Sequence, residues 1–271
     1  MNRIVRVLAG LFLALAVLAS AGCTKLQARD HLNKGVQSYK NARYEEAIEH
    51  FKTAVSLDPS LLNARIYLAT AYAQQYVPGA ETEENKRFAG QAIEEYKKVL
   101  AVDPNNVNSV KGIAYLYLQQ KLFVDAKQYY NKAVQTDPND PESYYSVAFI
   151  DWTQAYKFRQ EERNKLGMKA TDPLKDKKVC ELVKTHNTPP VEEGISLLNK
   201  ALQLRQDYDD AMAYMNLMYR ERADYECDRP DARTADLKTA DSWVDKTIAT
   251  KKEKANKQGP GGIVIDPTQG K

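Results

Sequence analysis

Two prolines, Pro104 and Pro138, stand 34 residues apart, and each closes a similar phrase, Ala-Val-Asp-Pro in one case and Gln-Thr-Asp-Pro in the other. Between them Ile113, Ala114 and Tyr117 share one face of a first helix. Phe123 follows a turn, and Ala126, Tyr130 and Ala133 share one face of a second helix. Spacings of three and four residues put each set on a single stripe. The small alanines let two helix backbones approach while the tyrosines fill the space between them. Proline after aspartate ends the second helix, because the residue before proline is pushed out of the helical region. A helix pair this short buries too little apolar surface to stand alone, so it must stack on neighbours.

The same phase recurs along the chain. With Pro59 as the equivalent of Pro104, Gly35 takes the close-packing place of a first helix, and Tyr44, Ala47, Phe51 and Ala54 mark the second, giving a unit at 28–61. A unit at 62–106 begins with Arg65, Leu68, Ala69 and Tyr72. It carries eleven extra residues around Val77-Pro78-Gly79 before Ala92, Tyr96 and Val99 restore the pattern. The unit at 107–140 is unbroken. In 141–208, Pro141 opens a helix carrying Tyr144, Val147 and Ala148, which is expected to run long through Trp152 and Tyr156. The second helix is expected to resume only after Pro189-Pro190, leaving about 34 inserted residues. The last unit, 209–253, is the least regular, with Met212, Met215 and Tyr219 in its first helix and Ala240, Trp243 and Val244 in its second.

On these residues and this period the chain resembles the tetratricopeptide-repeat family from about residue 28 to 253. The resemblance implies an all-α fold, an α-solenoid of about five helix pairs wound as a right-handed superhelix, with insertions in repeats two, four and five. It also implies that the first helices line a concave surface that takes a helix or peptide of a partner. Carried onto this sequence, that groove is Leu32, Val36 and Tyr39, then Ile66 and Thr70, then Lys111, Tyr115 and Leu118, then Tyr145, Phe149 and Trp152. This apolar, aromatic strip suits the helix-in-groove mode, with Tyr115, Phe149 and Trp152 as anchors. Three readings stay open: an exposed groove, one covered by the repeat-four insert, or ordinary packing between repeats.

Residues 1–22 read as a signal peptide. Arg3 and Arg6 are followed by an apolar run from Val7 to Leu18 and a small-residue exit into Cys23. This resembles a bacterial lipoprotein signal, in which Cys23 is the acylated first residue and 23–27 is a spacer, although Ser20 stands where that family prefers Leu or Val. Cleavage after Ala21, or retention as a membrane anchor, are the competing readings. The expectation is a lipid-anchored protein of a bacterial cell envelope facing the periplasm, the alternative being a soluble periplasmic or secreted chain. Formal charge is +3 for the whole chain, and removal of Arg3 and Arg6 leaves it near +1, which argues against a nucleic-acid binder. Residues 254–271, with Gly259-Pro260-Gly261-Gly262, read as a flexible tail.

With Cys23 set aside, Cys180 and Cys227 remain. Both fall in breaks between the helices of neighbouring repeats, which would line one edge of a stack, and a disulfide is expected between them. A metal site of Cys180, His186 and Cys227 lacks a fourth ligand and any Cys-x-x-Cys phrase. His31 and His50 have no evident partners, the acidic run Asp207, Asp209 and Asp210 reads as a turn, and no phosphate loop or serine elbow is present. No catalytic residue, metal or cofactor is therefore expected. The function expected is a non-catalytic adaptor or assembly factor, its partner an envelope or outer-membrane protein, with contact to the lipid membrane through acylated Cys23. The alternatives are a structural subunit of an envelope complex bound through its insertions, and a cell-wall glycan binder.

Overall fold

A computed structural model describes residues 23–169, 174 and 176–258. Every regular element among the described residues is a helix. The first, α1, spans residues 23–40. It is followed by α2 (Tyr44–Leu57), α3 (Leu62–Gln75), α4 (Glu83–Val102), α5 (Val107–Gln119) and α6 (Phe123–Thr136). Then come α7 (Pro141–Lys165), α8 (Lys177–Leu204), α9 (Asp209–Asp224) and α10 (Pro230–Gln258). They form five helix pairs, α1 with α2 through α9 with α10, and the chain divides after Lys132 into two compact units.

The Asp-Pro phrases end helices by one repeated piece of chemistry. At Asp58, Asp103 and Asp137 the backbone N–H still donates to the carbonyl four residues back, at Ala54, Val99 and Ala133. The aspartate side chain then accepts the backbone N–H two residues on, from Ser60, Asn105 and Asn139, at 3.1–3.3 Å. This local turn satisfies groups that the broken helix leaves open. Entry into the next helix is also capped by side chains. Asn106 accepts from the Ser109 N–H at 3.1 Å, and Asp140 from Glu142 and Ser143 at 3.3 and 3.2 Å. Inside the first and third pairs the turn places a non-glycine residue in the left-handed region, Ala42 at φ 57° and Lys121 at φ 59°.

The first unit packs around Ala47, Phe51, Leu68, Ala69, Tyr72, Ala92, Tyr96, Ile113 and Leu116, all buried. Two glycines let rings reach the facing helix. A Cβ on Gly35 would lie 2.5 Å from the Phe51 ring, and one on Gly112 would lie 2.5 Å from the Tyr96 ring. The extra residues of the second pair form a loop that Asn85 stitches shut. Its amide accepts from the Val77 N–H at 2.7 Å and donates to the Val77 and Ala80 carbonyls at 2.8 and 2.7 Å.

The second unit packs around Tyr144, Ala148, Ala155, Cys180, Val183, Val191, Leu198, Met215, Met218 and Tyr225. Here the structure departs from the sequence expectation. The second helix of the fourth pair does not wait for the prolines: α8 starts at Lys177 and runs through Pro189 and Pro190 to Leu204. Two interior prolines remove two backbone donors and crowd the preceding turn, which costs about 3 kcal/mol or more each. The offset is tertiary. Val183, Asn187 and Val191 are buried, and the Asn187 amide donates to the Ala155 carbonyl of α7 at 2.9 Å. Gly194 of α8 admits Met218, whose thioether occupies the space a Cβ would need.

Both ends of the described chain are more helical than expected. The spacer at 23–27 belongs to α1, and α10 continues through 254–258, the start of the expected tail. Lys254 there pairs with Asp209 at 2.6 Å, so the acidic run that reads as a bare turn is tied to the last helix. The expected signal peptide and the remainder of the tail lie outside the described residues.

Candidate functional site

The inserted half of the fourth pair is braced by a buried ionic cluster and a disulfide. The first helix of that pair, α7, carries Arg159 and Arg163 on its buried side, and both side chains are almost wholly enclosed. Arg159 Nε donates to Glu221 Oε1 at 2.8 Å, and its guanidinium lies 2.9 Å from Asp224 Oδ2. Arg163 lies 3.4 Å from the same Asp224 oxygen and donates to the Lys169 carbonyl at 3.3 Å. Asn187 of α8 donates to Glu221 Oε1 at 2.9 Å. One buried carboxylate on α9 thus gathers α7 and α8. Burial pushes the Glu221 carboxyl above its ordinary 4.5, against the opposing pull of the Arg159 guanidinium.

A disulfide joins Cys180, near the start of α8, to Cys227 in the α9–α10 turn, with 6.4 Å between their Cα atoms. The pairing expected from the sequence is present. It ties the new half of α8 to the far side of the ionic cluster, three residues beyond Asp224. Two residues before Asp224, Arg222 reaches α10 and α8, with a two-pronged bond to Asp236 at 2.6 and 3.0 Å and a contact to Glu192 at 3.0 Å. On the outer side Phe158 stacks on His186, ring centroids 3.7 Å apart, and Leu166 and Leu182 remain exposed.

The residues expected to line a groove fare differently in each unit. In the first, Leu32, Val36, Tyr39 and Ile66 are partly buried against the core. The Thr70 hydroxyl donates to the Ile66 carbonyl at 2.8 Å and lies 2.9 Å from the Tyr96 hydroxyl. Lys111 and Leu118 are half-buried. Tyr115 is 48% exposed and is the one aromatic of this set left open to solvent.

In the second unit Tyr145, Phe149 and Trp152 converge on Tyr214 of α9, with centroids 5.4, 5.3 and 5.4 Å from its ring. Tyr208 adds a ring 5.2 Å from Tyr145, and Tyr156 stacks on Trp152 at 5.0 Å. These edge-to-face and tilted contacts are packing interactions. Burial first, then the neighbouring Tyr214, pushes the Tyr145 hydroxyl well up. Sequence reasoning missed Tyr214. It lies on the face of α9 that meets α7, two residues after Met212.

Two tetratricopeptide-repeat profiles match the chain, one at residues 89–148 and one at 31–61. No curated protein matches it in sequence. Solved structures match over most of its length. A crystal structure of MamA protein aligns with 13% identity and a TM-score of 0.57, covering 85% of this chain and 94% of that one. MamA 41-end from Desulfovibrio magneticus RS-1 aligns with 16% identity and a TM-score of 0.55, covering 84% and 96%. At such identities the likeness is one of fold. The helix pairs, the repeat matches and these alignments together establish a tetratricopeptide-repeat, α-solenoid fold.

One expectation is corrected by the same findings. The likeness to MamA conflicts with a lipid-anchored protein facing the periplasm, and that placement is dropped. The leader on which it rested lies outside the described residues, while Cys23 is exposed at the start of α1. Among the described residues no helix is long and apolar enough to cross a membrane, and no group of three or more His, Cys, Asp and Glu could hold a metal ion.

Proposed function

We propose that this chain is a non-catalytic scaffold or assembly protein that holds its partner through the braced insertion of its fourth helix pair. The observation that carries the reading is the use made of the aromatic residues. Tyr145, Phe149 and Trp152 are engaged with Tyr214 and with one another, so in the second unit the expected groove anchors serve internal packing. The insertion instead combines exposed apolar side chains, Leu166 and Leu182, with a disulfide and a buried ionic cluster beneath them. A rigid, preorganised surface loses little conformational freedom on binding, which favours affinity. Helix-pair arrays offer extended surfaces of this kind, and a partner helix or peptide fits an apolar side chain presented on a helix.

The test compares two single substitutions of similar exposure. Leu182→Asp should abolish co-purification of the natural partner while leaving the circular dichroism spectrum unchanged, and Tyr115→Asp should leave the complex intact. Loss of the complex with Tyr115→Asp alone would transfer the binding surface to the first unit and return the reading to a groove.

A further inference from the structure

His31 and His50, which have no evident partners in the sequence, are brought face to face by the packing of α1 on α2. Their Nδ1 atoms lie 3.2 Å apart and their ring centroids 5.4 Å apart, at an interplanar angle of 51°. The helices that carry them are fixed. Ala28 and Ala47 are fully buried, and Gly35 admits the Phe51 ring so closely that a Cβ would collide with it.

Two neutral imidazoles in this arrangement share one proton, with one Nδ1–H donating to the other Nδ1 lone pair. The same spacing suits two donors on one ion. With metal–nitrogen distances of about 2.0–2.1 Å, donors this far apart subtend about 100° at the metal, between the octahedral and tetrahedral angles.

One carboxylate lies near the pair without joining it. Glu46 Oε1 lies 4.0 Å from His50 Nε2, the nitrogen that would carry the proton once Nδ1 binds metal. At that distance it is an electrostatic neighbour of His50 and not a hydrogen-bond partner, and its other oxygen pairs with Arg43 at 3.1 Å.

We infer that His31 and His50 form a binding site for a first-row divalent cation of the imidazole-preferring class, such as Zn²⁺, Ni²⁺ or Cu²⁺. Each residue ligates through Nδ1, and water fills the remaining positions. On binding, the shared Nδ1 proton moves to Nε2 of the same ring, so neutral imidazoles release no net proton and no redox change occurs. The hard cations Mg²⁺ and Ca²⁺, which favour oxygen ligands, are excluded by the donor set.

The experiment is calorimetric titration of the untagged chain with Zn²⁺ and Ni²⁺, alongside electron paramagnetic resonance of the Cu²⁺ form. One equivalent should bind, with two nitrogens coupled to the copper. His31→Gln and His50→Gln should each remove the two-nitrogen signal while keeping the helical spectrum. Absence of binding, or an unchanged two-nitrogen signal in both histidine variants, would overturn the inference. Should either glutamine variant fail to fold, modification of the histidines in the native chain must abolish metal uptake, and retained uptake would overturn it equally.

Discussion

Arg159→Met isolates the ionic cluster that braces the insertion. Methionine keeps much of the stem volume and removes the guanidinium, which takes away the 2.8 Å bond to Glu221 and the 2.9 Å contact to Asp224. Glu221 is 1% exposed and is left with the Asn187 bond at 2.9 Å, while its Oε2 has no partner at all. Breaking a buried pair by removing one member costs about 3–5 kcal/mol. The surviving Asn187 bond, and the contacts of Asp224 with Arg163 and Arg233, place the expected loss near the lower end, about 3 kcal/mol. For a unit of this size that lowers the midpoint of thermal unfolding by about 10 °C. Both tryptophans, Trp152 and Trp243, belong to the second unit, so their fluorescence reports its unfolding directly.

The sign of the pH dependence follows from the same carboxyl. Its folded value is raised above the ordinary 4.5, so the neutral form favours folding, and that contribution is lost as pH rises through the folded value. Without Arg159 the folded value rises further. The deficit of the variant relative to wild type should therefore narrow on acidification from about pH 7.5 to about pH 5. Adding Glu221→Met should recover more than half of the loss, because an apolar pair replaces an unpaired charge. A loss below about 1 kcal/mol, or a deficit indifferent to pH, would refute the reasoning.

Three further outcomes follow from other parts of the fold. The double variant Cys180→Ser/Cys227→Ser should lose about 2–4 kcal/mol in urea melts of the second unit, because it reopens a 47-residue separation in the unfolded chain. Gly112→Ala should cost about 1–3 kcal/mol because Tyr96 fills the space, whereas Gly90→Ala on the open side of α4 should gain about 0.5–1 kcal/mol; chemical denaturation measures both. Asn85→Ala should remove three bonds that close the 77–82 loop, seen as faster amide exchange at Val77 and a loss of about 1–3 kcal/mol.

The repeated chemistry was legible because it is local. Asp58, Asp103 and Asp137 carry their own stop signal in the following proline, and the Ala and Tyr stripes carry the helix period. The disulfide was legible from two cysteines left over in neighbouring repeats, although Cys180 lies on α8 and not in the break expected for it. What the sequence concealed depends on contacts distant in the chain. Pro189-Pro190 reads as a boundary because local propensity disfavours a helix there, and only Asn187, reaching Ala155 and Glu221, shows why α8 passes through. The groove assignment put Tyr145, Phe149 and Trp152 on one face of a helix by their spacing alone. It could not anticipate that Tyr214, on a helix about 60 residues further on, would occupy the same space. His31 and His50 are concealed for the same reason, being 19 residues apart and on different helices.

The most direct test of the scaffold reading is site-specific photo-crosslinking in intact cells from position 182, with position 115 run in parallel. The account predicts that position 182 captures one defined protein, and that capture fails in the Cys180→Ser/Cys227→Ser variant. Position 115 should capture none of that protein. Capture of the same protein from position 115, with position 182 silent, would contradict the account and place recognition on the first unit.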